Sequence, residues 1–132
     1  MAHSYIDFKG RTARFHDGMI TIVFMFLFRM SKDLYPGRKD LSVYFRNWKI
    51  NIELSGPGLI DIDLRGYWET DVGKKLLVQL VNELINRLKR SGPELSSDFI
   101  NGIVKFNQVN YGDVKTELVI KEASKFLNLL TG

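Results

Sequence analysis

The sequence has 132 residues, of which 45% are hydrophobic and 26% are charged, and its formal net charge is +4. This length predicts a single domain over residues 1–132 that can bury one core without covalent cross-links. The absence of cysteine excludes disulfides, thiolate catalysis and cysteine metal sites, and it is compatible with the cytoplasm. We expect no membrane span, because the longest apolar run is too short to cross a bilayer.

The first third of the chain predicts strands. Short strands are predicted over Tyr5–Lys9 and Thr12–His16, with Gly10 between them. The nine residues Ile20–Phe28 then carry no charge and are rich in β-branched and aromatic types. Such a composition is typical of a strand that is buried on both faces, and we predict that this strand runs from about Met19 to Met30.

The next segment alternates in a way that predicts a β-hairpin. Apolar residues recur at every second position from Leu41 to Leu54, with a change of phase near Arg46 that a β-bulge would cause. Turn residues occupy Ser55–Gly58, and Leu59–Arg65 alternates again. In the predicted register, the numbers of two residues opposite each other sum to 112. Lys49 then faces Asp63 on the polar side, and Ile50 faces Ile62 on the core side.

Two amphipathic helices are predicted in the second half. Apolar residues recur at three- and four-residue steps over Asp71–Arg90, and again over about Thr116–Leu130. Residues 93–110 fit either a short helix or a mixture of helix and strand, and a turn follows near Tyr111. The fold class expected is α+β: four or five mostly antiparallel strands with two or three helices packed on one face.

The chain contains little that indicates catalysis. His3 and His16 are scattered, and adjacent residues such as His16 and Asp17 point to opposite faces of a strand. The carboxylates Glu53, Asp61 and Asp63 could form an acid–base or divalent-cation site on the predicted hairpin. Interleaved basic residues favour a solvated sheet face instead, so we expect no catalytic residues, no metal site and no cofactor.

Basic and aromatic residues interleave near the hairpin, and this pattern indicates binding. We predict that Tyr44, Arg46, Lys49 and Arg65 contact a partner from the polar face of the sheet, while Trp48 points inward. Cations beside exposed rings can engage a protein surface, or the bases and phosphates of a nucleic acid. The leading hypothesis is a non-catalytic protein-binding protein, and the alternative is a nucleic-acid-binding module.

The chain resembles small bacterial immunity proteins, which neutralise delivered toxins such as those of contact-dependent inhibition systems. The resemblance is one of general character: the predicted strand Ile20–Phe28, the turn Ser55–Gly58 and the helix that follows Tyr67. It implies a cognate toxin as the partner and occlusion of the toxin's working surface as the mechanism. Many such proteins are acidic, so the basic charge here implies a toxin with an acidic binding face or one that is not a nuclease.

Overall fold

The computed structural model describes residues 2–104 and 111–132. Within these residues the fold is dominated by helices, and the only sheets are two small two-stranded ones. In chain order the elements are β1 (His3–Phe8), β2 (Arg11–His16), α1 (Asp17–Leu34), α2 (Lys39–Leu54), a 3₁₀ helix (Gly66–Glu69), α3 (Asp71–Lys89), β3 (Glu94–Leu95), α4 (Ser97–Val104), β4 (Val114–Lys115) and α5 (Thr116–Thr131). The predicted sheet of four or five mostly antiparallel strands is therefore wrong.

The N-terminal hairpin confirms the first two predicted strands. β1 and β2 pair antiparallel, with Phe8 opposite Arg11. The two residues between them, Lys9 and Gly10, both have positive φ, at 49° and 79°. Two positive φ angles in a two-residue loop characterise the type I′ turn, whose twist matches that of the flanking strands.

The apolar run Ile20–Phe28 lies in helix α1 and not in a strand. The His16 side chain caps this helix, since its Nδ1 accepts a hydrogen bond from the Met19 backbone N–H at 3.2 Å. α1 contacts α2, α3, α4, α5 and β2, so it is surrounded. No residue of Ile20–Phe28 is exposed, so this run is apolar all round and shows no amphipathic period, which is why its sequence resembled that of a buried strand.

The predicted hairpin over residues 41–65 is also wrong. Residues 41–54 belong to α2, which ends at Leu54, with Ser55 as its C-cap before Gly56 and Pro57. Leu59–Arg65 has no ladder of backbone hydrogen bonds, although its side chains are alternately buried and exposed as the pattern predicted. The register that paired Lys49 with Asp63 does not exist.

The two predicted amphipathic helices are confirmed as α3 and α5. The Thr70 side chain caps α3 by accepting a hydrogen bond from the Gly73 N–H at 3.0 Å. α3 packs mainly on α5, on α1 and on the 3₁₀ helix, not on a sheet as expected. Within the ambiguous segment, residues 97–104 form α4, and residues 105–110 lie outside the described part of the chain.

One cluster of buried side chains fills the space between the helices. Phe24 of α1 lies at its centre, with its ring 5.2 Å from both Trp48 of α2 and Phe126 of α5. Aromatic rings at such separations and in edge-to-face orientation add to the free energy of burial. Among the described residues, no helix combines the length and apolar character that crossing a membrane requires.

Candidate protein-interaction surface

An aromatic cluster fixes the geometry of the candidate site. Trp48 of α2 packs against Trp68 of the 3₁₀ helix, with ring centroids 5.1 Å apart, and against Phe45 at 4.9 Å. The Trp48 Nε1–H also donates a hydrogen bond to the backbone oxygen of Asp63 at 3.0 Å. This bond ties residues Leu59–Arg65, here called the extended segment, to α2, so the helix and the segment border a shared groove.

The cluster reaches the surface through two tyrosines. Tyr44 of α2 and Tyr67 of the 3₁₀ helix stack with centroids 5.4 Å apart and planes 4° from parallel. The Arg38 guanidinium donates a hydrogen bond to the Tyr67 hydroxyl at 3.3 Å and is paired with Asp40. Both rings are half-buried, and Tyr44 also lines the groove.

The groove has a volume of about 390 Å³. Its lining residues come from α2, from the extended segment and from the 3₁₀ helix: Tyr44, Asn47, Trp48, Ile50, Asn51, Asp63, Arg65 and Trp68. Trp48 and Trp68 are almost completely buried, so they form its floor, whereas Asn47 and Asn51 are exposed and form one wall. A concave site with an aromatic floor and polar walls has the character of a binding site.

A row of exposed apolar side chains on α2, here called the outer stripe, adjoins the groove. It consists of Val43, Ile50 and Leu54, which are 52%, 42% and 81% exposed. Steps of seven and four residues place them on one side of the helix, opposite the buried Leu41. Their exposure leaves this side of α2 open to solvent within the described residues.

The structure brings only part of the predicted contact set together. Tyr44 and Arg65 both line the groove, as contact residues of one site would. Lys49 lies away from it and pairs with Glu53, one helical turn further on, at 3.4 Å. Arg46 is exposed and forms no ion pair within the described residues. The expected single polar face failed because it assumed strand geometry, whereas successive residues on a helix are separated by about 100°.

The basic residues of this surface are largely neutralised by their neighbours. The Arg65 guanidinium donates hydrogen bonds of 3.0 Å and 3.1 Å to the two carboxylate oxygens of Asp63. These bonds, followed by one from the Arg65 backbone N–H, hold the pKa of Asp63 below its ordinary value, and they raise the pKa of Arg65. Since Lys49 is also paired, Arg46 is the one predicted contact cation that has no acidic partner among the described residues.

The candidate catalytic groups are not assembled into a site. Glu53 and Asp63 each pair with a basic residue, and no three potential metal ligands cluster in the described residues. His16 meets His3 edge to face at 5.5 Å and caps α1. Asp17 accepts hydrogen bonds from the Ser4 hydroxyl at 2.6 Å and from the Gly58 N–H at 2.7 Å. These contacts join the N-terminal hairpin, α1 and the loop after α2, so a structural role accounts for them.

Sequence reasoning missed the outer stripe and the two asparagines of the groove. The signal for the stripe was present: a helix over Leu41–Leu54 places Leu41, Phe45, Trp48 and Ile52 on one side and Val43, Ile50 and Leu54 on the other. Together, two apolar stripes on opposite sides of a helix give a sequence in which apolar residues recur at about every second position. This pattern resembles a strand with a β-bulge. The asparagines left no signal, because only the groove makes them informative.

Comparison with known proteins found no matching family model, no matching curated protein and no matching solved structure. The candidate function therefore rests on the geometry and chemistry of this surface.

Proposed function

We propose that the chain is a non-catalytic protein-binding protein, and that the outer stripe with the adjoining groove is its binding surface. The observation that carries this proposal is the outer stripe. Val43, Ile50 and Leu54 expose apolar surface to solvent on a helix whose opposite side is buried. Exposed apolar side chains grouped beside aromatic and polar ones are typical of protein interfaces.

The most concrete form of this function is neutralisation of a toxin in the cytoplasm. An immunity protein needs no catalytic groups, because it acts by covering the toxin's working surface. A helix face and a groove of this size offer a hydrophobic centre, and the charged pair Arg65–Asp63 offers a polar border. This combination is the usual anatomy of a specific interface.

The charge pairing supports a protein partner over a nucleic acid. Phosphate binding depends on cations that are free to neutralise the backbone and release counterions. Lys49 and Arg65 already have carboxylate partners, Glu53 and Asp63, and these carboxylates would repel phosphates. The aromatic rings of Trp48 and Trp68 are buried and offer no face on which a base could stack.

The test uses a double variant, Ile50→Glu with Leu54→Lys, here called the stripe variant. The introduced charges are four residues apart in the order that stabilises a helix, and the lysine suits the helix C-terminus, so α2 is retained. The native chain and the stripe variant are used as bait in lysate of the source cell. A retained partner is then produced recombinantly and titrated against both proteins.

We expect the native chain to bind the partner and the stripe variant to lose at least tenfold in affinity, because charges replace apolar contacts at the interface. For a toxin partner, co-expression with the native chain restores growth and co-expression with the stripe variant does not. A partner that binds both proteins equally would refute this surface as the interface. Binding of duplex or single-stranded nucleic acid that weakens steeply with salt would favour the alternative.

A further inference from the structure

The polar wall of the groove carries two unused amide groups. Asn47 and Asn51 are exposed on α2, and both line the groove. Neither side chain makes a hydrogen bond within the described residues. An asparagine amide offers both a donor and an acceptor, so it can pair with the C=O and the N–H of one residue of an extended chain at the same time.

The spacing of the two amides matches an extended polypeptide. Residues four apart on an α-helix are separated by about 6 Å along the axis, at 1.5 Å per residue. In an extended chain the residues whose N–H and C=O both point to one edge repeat every two residues, or about 6.4–6.8 Å. Asn47 and Asn51 can therefore hold the backbone N–H and C=O of two residues, two positions apart, on the same edge of one strand-like segment.

The wall opposite the two asparagines suits such a segment too. This wall, formed by Asp63 and Arg65, presents both signs of charge to polar groups of the same segment.

We propose that the groove binds an extended peptide segment of the partner through its backbone, with Asn47 and Asn51 as the recognising residues. This inference rests on the proposed function, since it names what part of the partner enters the groove. The outer stripe then contacts the body of the partner, while the groove holds one strand-like segment of it.

The test uses a library of random linear peptides of about twelve residues displayed on phage. The only two tryptophans of the chain, Trp48 and Trp68, both line the groove, so their fluorescence reports its occupancy directly. Peptides enriched by the native chain are synthesised and titrated against it while tryptophan emission is recorded. The same titration is repeated with Asn47→Ala, Asn51→Ala and the double variant.

We expect each asparagine substitution to weaken peptide binding about tenfold, because each removes paired hydrogen bonds in a partly desolvated groove. The matched control is Asn82→Ala, which removes an exposed asparagine from α3 and should leave the affinity unchanged. Alanine also raises helix propensity at all three positions, so loss of folding is not expected.

Peptides N-methylated at alternate amides separate backbone reading from side-chain reading. The methyl groups should weaken binding to the native chain but have little further effect on the double variant, since the two changes remove the same hydrogen bonds. Failure to enrich any peptide, or equal affinity of the native chain and the double variant, would overturn the peptide-groove inference. Neither result bears on the proposed function, which fails only if the stripe variant binds the partner as the native chain does.

Discussion

The two sides of helix α2 are both apolar, yet they have different surroundings. The inner side is buried against α1 and the 3₁₀ helix and consists of Leu41, Phe45, Trp48 and Ile52. The outer side carries Val43, Ile50 and Leu54 and faces water. On one helix, the same residue types therefore contribute either to the stability of the fold or to a surface that stays available.

This difference shows that the extent of burial distinguishes an apolar residue that stabilises the fold from one that is available to a partner. The hydrophobicity of the residue type alone does not distinguish them. A buried side chain contributes the free energy of leaving water plus its packing contacts, and its removal leaves a cavity. An exposed apolar side chain contributes little to folding. If the comparison is right, substitutions on the two sides have separable effects on unfolding and on binding.

The largest effect is expected for Trp48→Ala on the inner side. It removes the contacts with Phe24, Phe45 and Trp68 and the hydrogen bond to the Asp63 oxygen. We expect the free energy of unfolding to fall by about 3–5 kcal/mol, as for other buried aromatic truncations. Urea denaturation followed by far-UV circular dichroism measures this loss, and an unchanged midpoint would contradict the inner packing.

A smaller loss of stability is expected for Gly73→Ala, at the point where α3 packs against the 3₁₀ helix that carries Trp68. A Cβ at Gly73 would overlap the backbone oxygen of Tyr67, which neighbours Trp68. Because backbone cannot move aside cheaply, Gly73→Ala should lower the free energy of unfolding by about 1–3 kcal/mol. The matched control is Gly102→Ala in α4, where a Cβ meets nothing within 4 Å among the described residues, and this substitution should raise the free energy of unfolding by about 0.5–1 kcal/mol. Equal effects at both glycines would refute the close approach.

The helices that were predicted correctly are those with one buried face and one solvent-exposed face. α3 and α5 each bury a single stripe, so their 3.6-residue period is visible, and the Thr70 cap and the Ser91–Gly92 stop mark the ends of α3. The N-terminal hairpin was also predictable, because Gly10 marks its turn. In all these elements, local sequence and tertiary environment agree.

The helices that were missed lack a single polar face that is exposed to solvent. α1 is surrounded, so its β-branched and aromatic residues favoured a strand while tertiary packing determined a helix. α2 has two apolar sides, so its pattern resembled alternation. The candidate site depended on that error: Tyr44 and Arg65 do share the groove, but the placement of Lys49 beside them required a strand.

The stripe variant, Ile50→Glu with Leu54→Lys, should change the free energy of unfolding by less than about 0.5 kcal/mol, as surface substitutions usually do. The reason is that Leu54 is 81% exposed and that the new charges pair along the helix. Urea denaturation of the stripe variant and of Trp48→Ala under the same conditions compares the two losses of stability directly. A loss as large as that of Trp48→Ala would mean that the outer stripe belongs to the core, and it would remove the basis for the proposed interface.

The smallest effect is expected at the charged wall of the groove and depends on pH. Because Arg65 lowers the pKa of Asp63 in the folded protein, the contribution of this pair is present above the unfolded pKa and is lost as the pH falls through the folded pKa. Since both side chains are at least half exposed, we expect little change in stability from it. The measurement is therefore an NMR titration of the Asp63 carboxyl, whose midpoint should lie below that of an ordinary aspartate and should rise towards it in Arg65→Gln. If the midpoint does not change in that variant, the pair does not form in solution, and Arg65 is a free cation that could bind an acidic partner.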